Sequence, residues 1–291
     1  MKPAEGNQRI GIPAYFTSHA WVEARFDYAH LFETKQGRIM FKALEPLLLL
    51  LGFLGPAVRR HNEYLFVRHF AHEARLRQIN PSCIVEIGAG LSPRGIAFAS
   101  ADPDLRYIEV DLPNMVAAKR RALGDFKTPP NYFLGTTDLL CEDFFESLPE
   151  KPRSGDRVAV VTEGVADYFN MAEKRTAFAN ICSLIRAHGG GHYLLDIYAR
   201  ENFPNIPFLT GAFVRTLGQM VGRSFDDQLF ERVEDACGFL RSCGFDRATE
   251  LDLAELNTSA FQPPLERCTF RIVEAAVGTE GEALRGLTPD P

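Results

Sequence analysis

The 291-residue sequence contains no C-x-x-C pair, no H-E-x-x-H run, and no Ser-His-Asp or Cys-His order in a recognisable nucleophile context. The first absence excludes a zinc knot or thioredoxin-like redox motif, and the six scattered cysteines read as reduced, mostly buried thiols. The others argue against a zinc protease and against hydrolase chemistry. No apolar run approaches the roughly 20 residues of a spanning helix. The most apolar stretch, residues 46–58, is short and interrupted by Pro46, Gly52, Gly55 and Pro56, so it reads as a buried helix end. The first seven residues lack the basic-then-apolar order of a secretory signal, and a cytoplasmic protein is expected. Basic charge is also in deficit: 32 Lys and Arg against 38 Asp and Glu give a net charge of −6. That balance disfavours a sequence-independent grip on nucleic acid or on an anionic membrane, and favours a small-molecule or protein partner.

What is present is an ordinary globular composition, 46% hydrophobic and 24% charged, long enough for one large α/β domain with additions. The texture changes near Ile79-Asn80-Pro81-Ser82. Before it the spacing predicts helices over Trp21 to Phe32, Arg38 to Leu51 and Arg60 to Ile79, a helical extension over residues 1–80. After it short β-rich runs alternate with helical ones, the signature of a parallel sheet. The predicted strands are Cys83–Ile87, Arg106–Val110, Asn131–Leu134, Val158–Thr162, His192–Ile197, Phe245–Leu251 and Arg267–Val277. Helices are predicted over Pro93–Ser100, Pro113–Leu123, Glu142–Leu148, Met171–Ala187, Pro207–Val221 and Asp227–Cys243. The last two strands, joined through Pro263-Pro264, suggest a hairpin at one sheet edge, and residues 278–291 read as a frayed tail.

Val85-Glu86-Ile87-Gly88-Ala89-Gly90-Leu91-Ser92-Pro93-Arg94-Gly95 is a strand, a glycine loop and a helix start. Two glycines after a buried strand let a ligand lie against bare backbone. A dinucleotide motif wants a third glycine where Pro93 stands, and proline removes an amide proton there, so a nucleoside without a diphosphate fits better than NAD. About twenty residues on, Asp111 ends the second strand, where a carboxylate can accept both ribose hydroxyls. Thr137-Asp138-Leu139-Leu140 follows the third strand, placed for an adenine amino group and ring face, and Thr162-Glu163-Gly164 with Asp167-Tyr168-Phe169 follows the fourth. All lie at strand carboxyl ends, the ligand edge of an open α/β sheet, and together they point to S-adenosylmethionine.

These segments, with Lys119-Arg120-Arg121 and Val161-Thr162-Glu163-Gly164-Val165-Ala166-Asp167-Tyr168-Phe169, resemble the leucine carboxyl methyltransferase family, in particular its bacterial polyketide O-methyltransferase branch. The resemblance spans roughly residues 8 to 250 and rests on the motifs as a set. It implies a class I S-adenosylmethionine-dependent methyltransferase fold over residues 81–277, with a Rossmann-like seven-stranded sheet whose last strand is antiparallel. It further implies that Arg68 holds the cofactor's carboxylate, that Gly88 and Gly90 lie under its methionine part, and that Asp111 takes the ribose. Asp138 and Leu139 would face the adenine, Glu163 would sit near the amino group, and Glu86 and Leu112 would complete the cofactor residues. Tyr168 matches an aromatic position lining the methyl-transfer site. Ala166-Asp167 departs from the bulkier apolar pair of many relatives, which bears on the acceptor pocket.

No metal is expected: His69 and His72 share a helical stripe with Leu65, Leu76 and Ile79 and read as core or cap residues. The aromatic run Tyr15 to Arg25 is either a lid over the acceptor or a helix packed on the sheet. The expected activity is O-methylation of a small, polyketide-like acid. A carboxylate is preferred because no base is evident beside the strand tips, while His19 and His30 keep a hydroxyl acceptor open. A cofactor-binding module without turnover is a further alternative, and an NAD oxidoreductase a distant one.

Overall fold

The computed structural model describes residues 12–50, 61–202, 228–256 and 268–278. The predicted helix Pro207–Val221, the Pro263-Pro264 loop, the first seven residues and the tail beyond Gly278 lie outside them. The helices are α1 (Ile12–Glu23), α2 (Lys35–Leu50), α3 (His61–Ile79), α4 (Arg94–Ala101), α5 (Pro113–Leu123), α6 (Met171–Ala187) and α7 (Val233–Ser242). The strands are β1 (Cys83–Ile87), β2 (Arg106–Asp111), β3 (Tyr132–Thr136), β4 (Val158–Thr162), β5 (Gly191–Tyr198), β6 (Arg247–Glu250) and β7 (Phe270–Val277). None of the described helices is long and apolar enough to cross a membrane.

Cys-Ile-Val-Glu-Ile and Val-Ala-Val-Val-Thr are buried at every position, as strands covered on both faces must be. They form the centre of a seven-stranded sheet of order β3-β2-β1-β4-β5-β7-β6. The first five strands run parallel, and β7 enters antiparallel between β5 and β6. The two terminal strands do pair antiparallel at an edge, with β7 on the inside. One face packs Phe178, Ile181 and Ile185 of α6 and Ala236 and Leu240 of α7 against Val85, Val160 and Leu195. The other packs Ile96 of α4 and Met115 of α5 against Ile84, Tyr107 and Val161. The boundary of α6 follows from its cap: Asn170 accepts from the N–H groups of Ala172 and Glu173, and Glu173 accepts in return from the Asn170 N–H.

Three helix predictions are corrected. Trp21 to Phe32 is not one helix: α1 stops at Glu23, Arg25 and Tyr28 take left-handed φ of 58° and 60°, and a 3-10 turn covers Ala29–Phe32. Its apolar residues serve two cores, Trp21 and Ala29 packing with Leu65 and Phe66 of α3 and Phe32 packing beneath the sheet, which one straight stripe cannot do. Residues 142–148 form successive turns, because the Ser147 hydroxyl donates to the Phe144 carbonyl at 2.8 Å and diverts it from a helical ladder. α7 begins at Val233 rather than Asp227, since Phe230 bridges to Ala199 and Asp235 accepts from the Arg232 N–H at 3.0 Å.

The antiparallel seam is fastened by Glu274 of β7, which accepts from Arg75 of α3 at 2.6 and 3.1 Å and lies 2.7 Å from His192 Nδ1 of β5. Burial pushes this carboxyl up, but the bonds from His192 and Arg75 outweigh it and hold it at about 2. A carboxyl depressed in the folded chain contributes its stability above the unfolded value near 4.5 and loses it as the pH falls toward the folded one. Glu274→Gln should therefore lower the unfolding free energy at pH 7 by about 2–3 kcal/mol in urea titrations. The deficit should shrink between about pH 4.5 and pH 2, and a deficit constant across that window would contradict the pairing.

Candidate active site

The carboxyl ends of β1, β4 and β5 meet α3 at a buried cluster of charge. Glu163, the first residue after β4, accepts from Arg68 Nε at 3.2 Å and from Arg94 Nη2, and lies 3.2 Å from His69 Nδ1. Arg94, fully buried at the start of α4, also donates to Glu86 at 2.7 Å, and Tyr107 donates to the other Glu86 oxygen at 2.6 Å. Arg68 reaches Asp196 of β5 at 3.2 Å, and Asp196 accepts in addition from the Gly164 N–H at 2.7 Å. His69 Nε2 lies 3.2 Å from Glu73. Burial pushes Glu163 up, yet Arg94, His69 and Arg68 hold it well below the ordinary carboxylate range. Burial likewise opposes the charge on Arg68, and Asp196 and Glu163 overcome it, so that both groups stay ionised. Two guanidiniums face three carboxylates in Arg68, Arg94, Glu86, Glu163 and Asp196, which leaves one negative charge in excess.

The glycine loop lies beside this cluster. Gly88 and Gly90 have φ of +71° and +52°, a conformation L side chains rarely adopt. A Cβ on Gly88 would lie 2.5 Å from Val165 Cγ2 in the loop after β4, and one on Gly90 would lie 3.1 Å from the Ala14 Cβ of α1. The start of α1 thus lies against the glycine turn, while its aromatic residues Phe16 and Trp21 pack with Phe41, Leu65 and Phe66. Asp111, at the end of β2, accepts from the Gly90 N–H at 2.7 Å and the Leu112 N–H at 2.6 Å, and so locks the turn to the neighbouring strand tip. Leu112 is the N-cap of α5, with Pro113 in its first turn.

The predicted residues are thus gathered unequally. Arg68, Glu163, Gly88, Gly90, Asp111 and Leu112 share the edge, and the Arg68 guanidinium closely approaches the bare Gly164. Glu86 is turned into the interior, spent on Arg94 and Tyr107. Asp138 accepts from the Leu140 N–H at 3.0 Å, and Leu139 is buried in the core beside α6. Tyr168 lies in the 3-10 turn Ala166–Tyr168, where burial raises its hydroxyl to about 12 against the pull of Arg68. His69, read as a core or cap residue, belongs to the ionic cluster, whereas His72 is buried with Nδ1 2.9 Å from the Arg68 carbonyl. His19 lies toward Glu23, Glu33 and Phe41, on the side of α1 that meets α2.

Sequence reasoning missed Arg94 and Asp196 as partners. Arg94 stood inside the glycine motif, and a buried strand ending Leu-Leu-Asp-Ile was a signal for Asp196. Asp167 was noted only as a departure. It accepts from the Tyr198 N–H at 3.1 Å through Oδ2, and Lys174 Nζ lies 3.6 Å from its Oδ1.

The chain is similar to PigF, solved with SAH, at 16% identity and a TM-score of 0.50, over 72% of this chain and 54% of that one. It is also similar to the S-adenosylmethionine-dependent methyltransferase SibL, solved in its apo form, at 14% identity and a TM-score of 0.49, over 70% of this chain and 52% of that one. An O-methyltransferase family protein from Burkholderia thailandensis matches at 14% identity and a TM-score of 0.49, over 85% and 61%. The chain spans about half the length of the first two. No curated protein matches it by sequence. The sheet order, the reversed β7 and the likeness to PigF establish the class I S-adenosylmethionine-dependent methyltransferase fold. A family model for leucine carboxyl methyltransferases matches residues 33–182, a narrower span than the motifs suggested but just over half of the sequence, and on that match the chain belongs to the leucine carboxyl methyltransferase family.

Proposed function

We propose that this chain is an S-adenosylmethionine-dependent O-methyltransferase acting on a small molecule. The observation that carries the reading is the contact between the bare Gly88 turn and the Val165 loop, beside Arg68 and Glu163. The residues fit the cofactor: the left-handed glycine turn follows the first strand at the carboxyl edge of the sheet, Asp111 stands at the neighbouring strand tip, and the excess negative charge of the cluster favours a ligand ammonium or sulfonium. Gly88, Gly90 and Asp111 would hold its methionine and ribose parts, Arg68 its carboxylate, and Glu163 its amino group, with Leu112, Asp138 and Leu139 toward the adenine. Glu86 supports the site through Arg94. When bound, the cofactor supplies a methyl group on a sulfonium, open to in-line displacement by an oxygen. The chain's own work is to hold the acceptor oxygen in line and keep water out.

The family resemblance supports a carboxylate acceptor of a polyketide-like acid, which is ionised at pH 7 and needs only orientation. A hydroxyl acceptor needs a base as well. Labelled S-adenosylmethionine incubated with the protein and an extract of its source should yield a labelled small molecule, and mild base should release methanol from an ester but not from an ether. No transfer of label to any small molecule would overturn the proposed function.

Two variants test the placement. Arg68→Lys keeps the charge and loses the planar fork, so cofactor affinity measured by calorimetry should fall at least about tenfold, and equal binding would remove Arg68 from the site. Asp111→Ala should weaken binding by about 1.5–3 kcal/mol, the cost of losing hydrogen bonds to a charged group, and unchanged affinity would assign the ribose to another acid.

A further inference from the structure

We propose that His69 is a positioning residue for the amino end of the cofactor: as a neutral imidazole it holds Arg94 and leaves the Glu163 charge to the cofactor's ammonium, and on taking a proton it neutralises Glu163 and weakens the cofactor's hold. This rests on the methyl-transfer reading above, and in particular on Glu163 as the partner of the amino group.

His69 directly follows Arg68 on α3, and each of its ring nitrogens faces a carboxylate: Nε2 lies 3.2 Å from Glu73 and Nδ1 lies 3.2 Å from Glu163. Arg94 decides between them. Its Nη2 lies 2.7 Å from Nδ1 and also donates to Glu163. A guanidinium has donors only, so at this distance Nδ1 carries a lone pair, and the single proton of the neutral ring sits on Nε2, toward Glu73. A second proton, on Nδ1, would meet the Arg94 N–H groups head on. Among the contacts of Nδ1 its one acceptor is Glu163, and donating to it displaces Arg94 from a partner. The ring therefore has two arrangements that differ by one proton, one bonded to Arg94 and one bonded to Glu163.

The groups around the ring decide how readily it takes that proton. α1 supplies Trp21, with ring centres 5.1 Å apart, and the turn after α1 supplies Phe26, stacked at 5.2 Å. α3 supplies Glu73 and Phe70, α4 supplies Arg94, and the loop after β4 supplies Glu163. These walls bury the imidazole, so its charge acts on Glu163 with little screening by water. Burial and Arg94 disfavour the second proton, Glu163 and Glu73 favour it, and the net direction is upward from the ordinary 6.5. Glu73 is held at about 2 by its bond to His69, Glu163 lies well below the carboxylate range, and Arg94 keeps its charge. Among these facing groups the imidazole is the one that titrates near neutrality. His72, one turn on, is pushed down by burial and stays neutral. The proton on His69 cancels the one negative charge by which Glu86, Glu163 and Asp196 exceed Arg68 and Arg94, and with it the attraction for an ammonium.

The test is calorimetry on the full chain with S-adenosylhomocysteine and with its deamino analogue, 5′-S-(3-carboxypropyl)-5′-thioadenosine, across the neutral range. Affinity for S-adenosylhomocysteine should fall at least about fivefold from about pH 8 to about pH 6, because a proton taken by His69 must leave on binding. The analogue keeps the ribose, thioether and carboxylate and should show no such fall, which separates His69 from a titration of Asp111. His69→Gln keeps an acceptor for Arg94 and a donor for Glu73 but does not titrate, and its affinity for S-adenosylhomocysteine should be flat over the same range. Trp21, the only tryptophan of the sequence, reports the ring without any variant, since an imidazolium quenches indole emission. Emission should rise with pH, and bound S-adenosylhomocysteine should move the midpoint to lower pH, as reciprocal linkage requires. A flat profile for S-adenosylhomocysteine, an equal fall for the analogue, a midpoint unmoved by S-adenosylhomocysteine, or a folded His69→Gln protein with the wild-type slope overturns the role of His69 while leaving the proposed function in place. Absence of S-adenosylhomocysteine binding at every pH would overturn the proposed function itself.

Discussion

The ion pair between Glu163 and the guanidiniums of Arg68 and Arg94 is the constraint on which the site depends. It joins α3, the end of β4 and the first residue of α4, and through Asp196 and Glu86 it extends to β5 and β1. Each of these charges is costly to bury alone, and removing one partner of such a pair commonly costs about 3–5 kcal/mol. The cluster therefore fixes the loop after β4 against α3, α4 and the glycine turn. Its negative excess suits the cationic ligand proposed above.

The division of labour between hydrophobic and ionic contacts follows the sheet. Aliphatic residues on both faces of β1, β4 and β5 set the architecture, and the ionic groups of the cluster gather toward the carboxyl ends of these strands. At the carboxyl ends they build the candidate site. Toward the antiparallel seam Glu274 joins α3 to β5 and β7 through Arg75 and His192. Helix α3 thus serves twice, carrying Arg68 and His69 near its middle and Arg75 two turns later. A shift of that helix would disturb the site and the seam together.

Legibility from the sequence tracked how local each determinant is. β1 and β4 were read residue for residue because short β-rich runs stand between clear breakers, α5 because Pro113 marks its start, and α6 because the stripe Ala177, Ile181, Leu184 and Ile185 runs up to Gly189-Gly190-Gly191. Gly88, Gly90 and Asp111 were legible for the same reason, since turn and strand tip are encoded within a few residues. Trp21 to Phe32 was misread because the pull of two cores on alternate residues is invisible to periodicity. The state of Asp167 was hidden too: it depends on Tyr198, 31 residues on, and on a lysine whose burial no local pattern reveals.

Because the fold alone supports many chemistries, the central claim is that this edge is built for the cofactor's methionine and nucleoside parts. The most direct measurement is calorimetric titration of the wild-type chain with S-adenosylhomocysteine, the demethylated product, at neutral pH. The account predicts saturable one-to-one binding in the micromolar range and no heat with NAD. No heat with the thioether, together with clear binding of NAD, would contradict it.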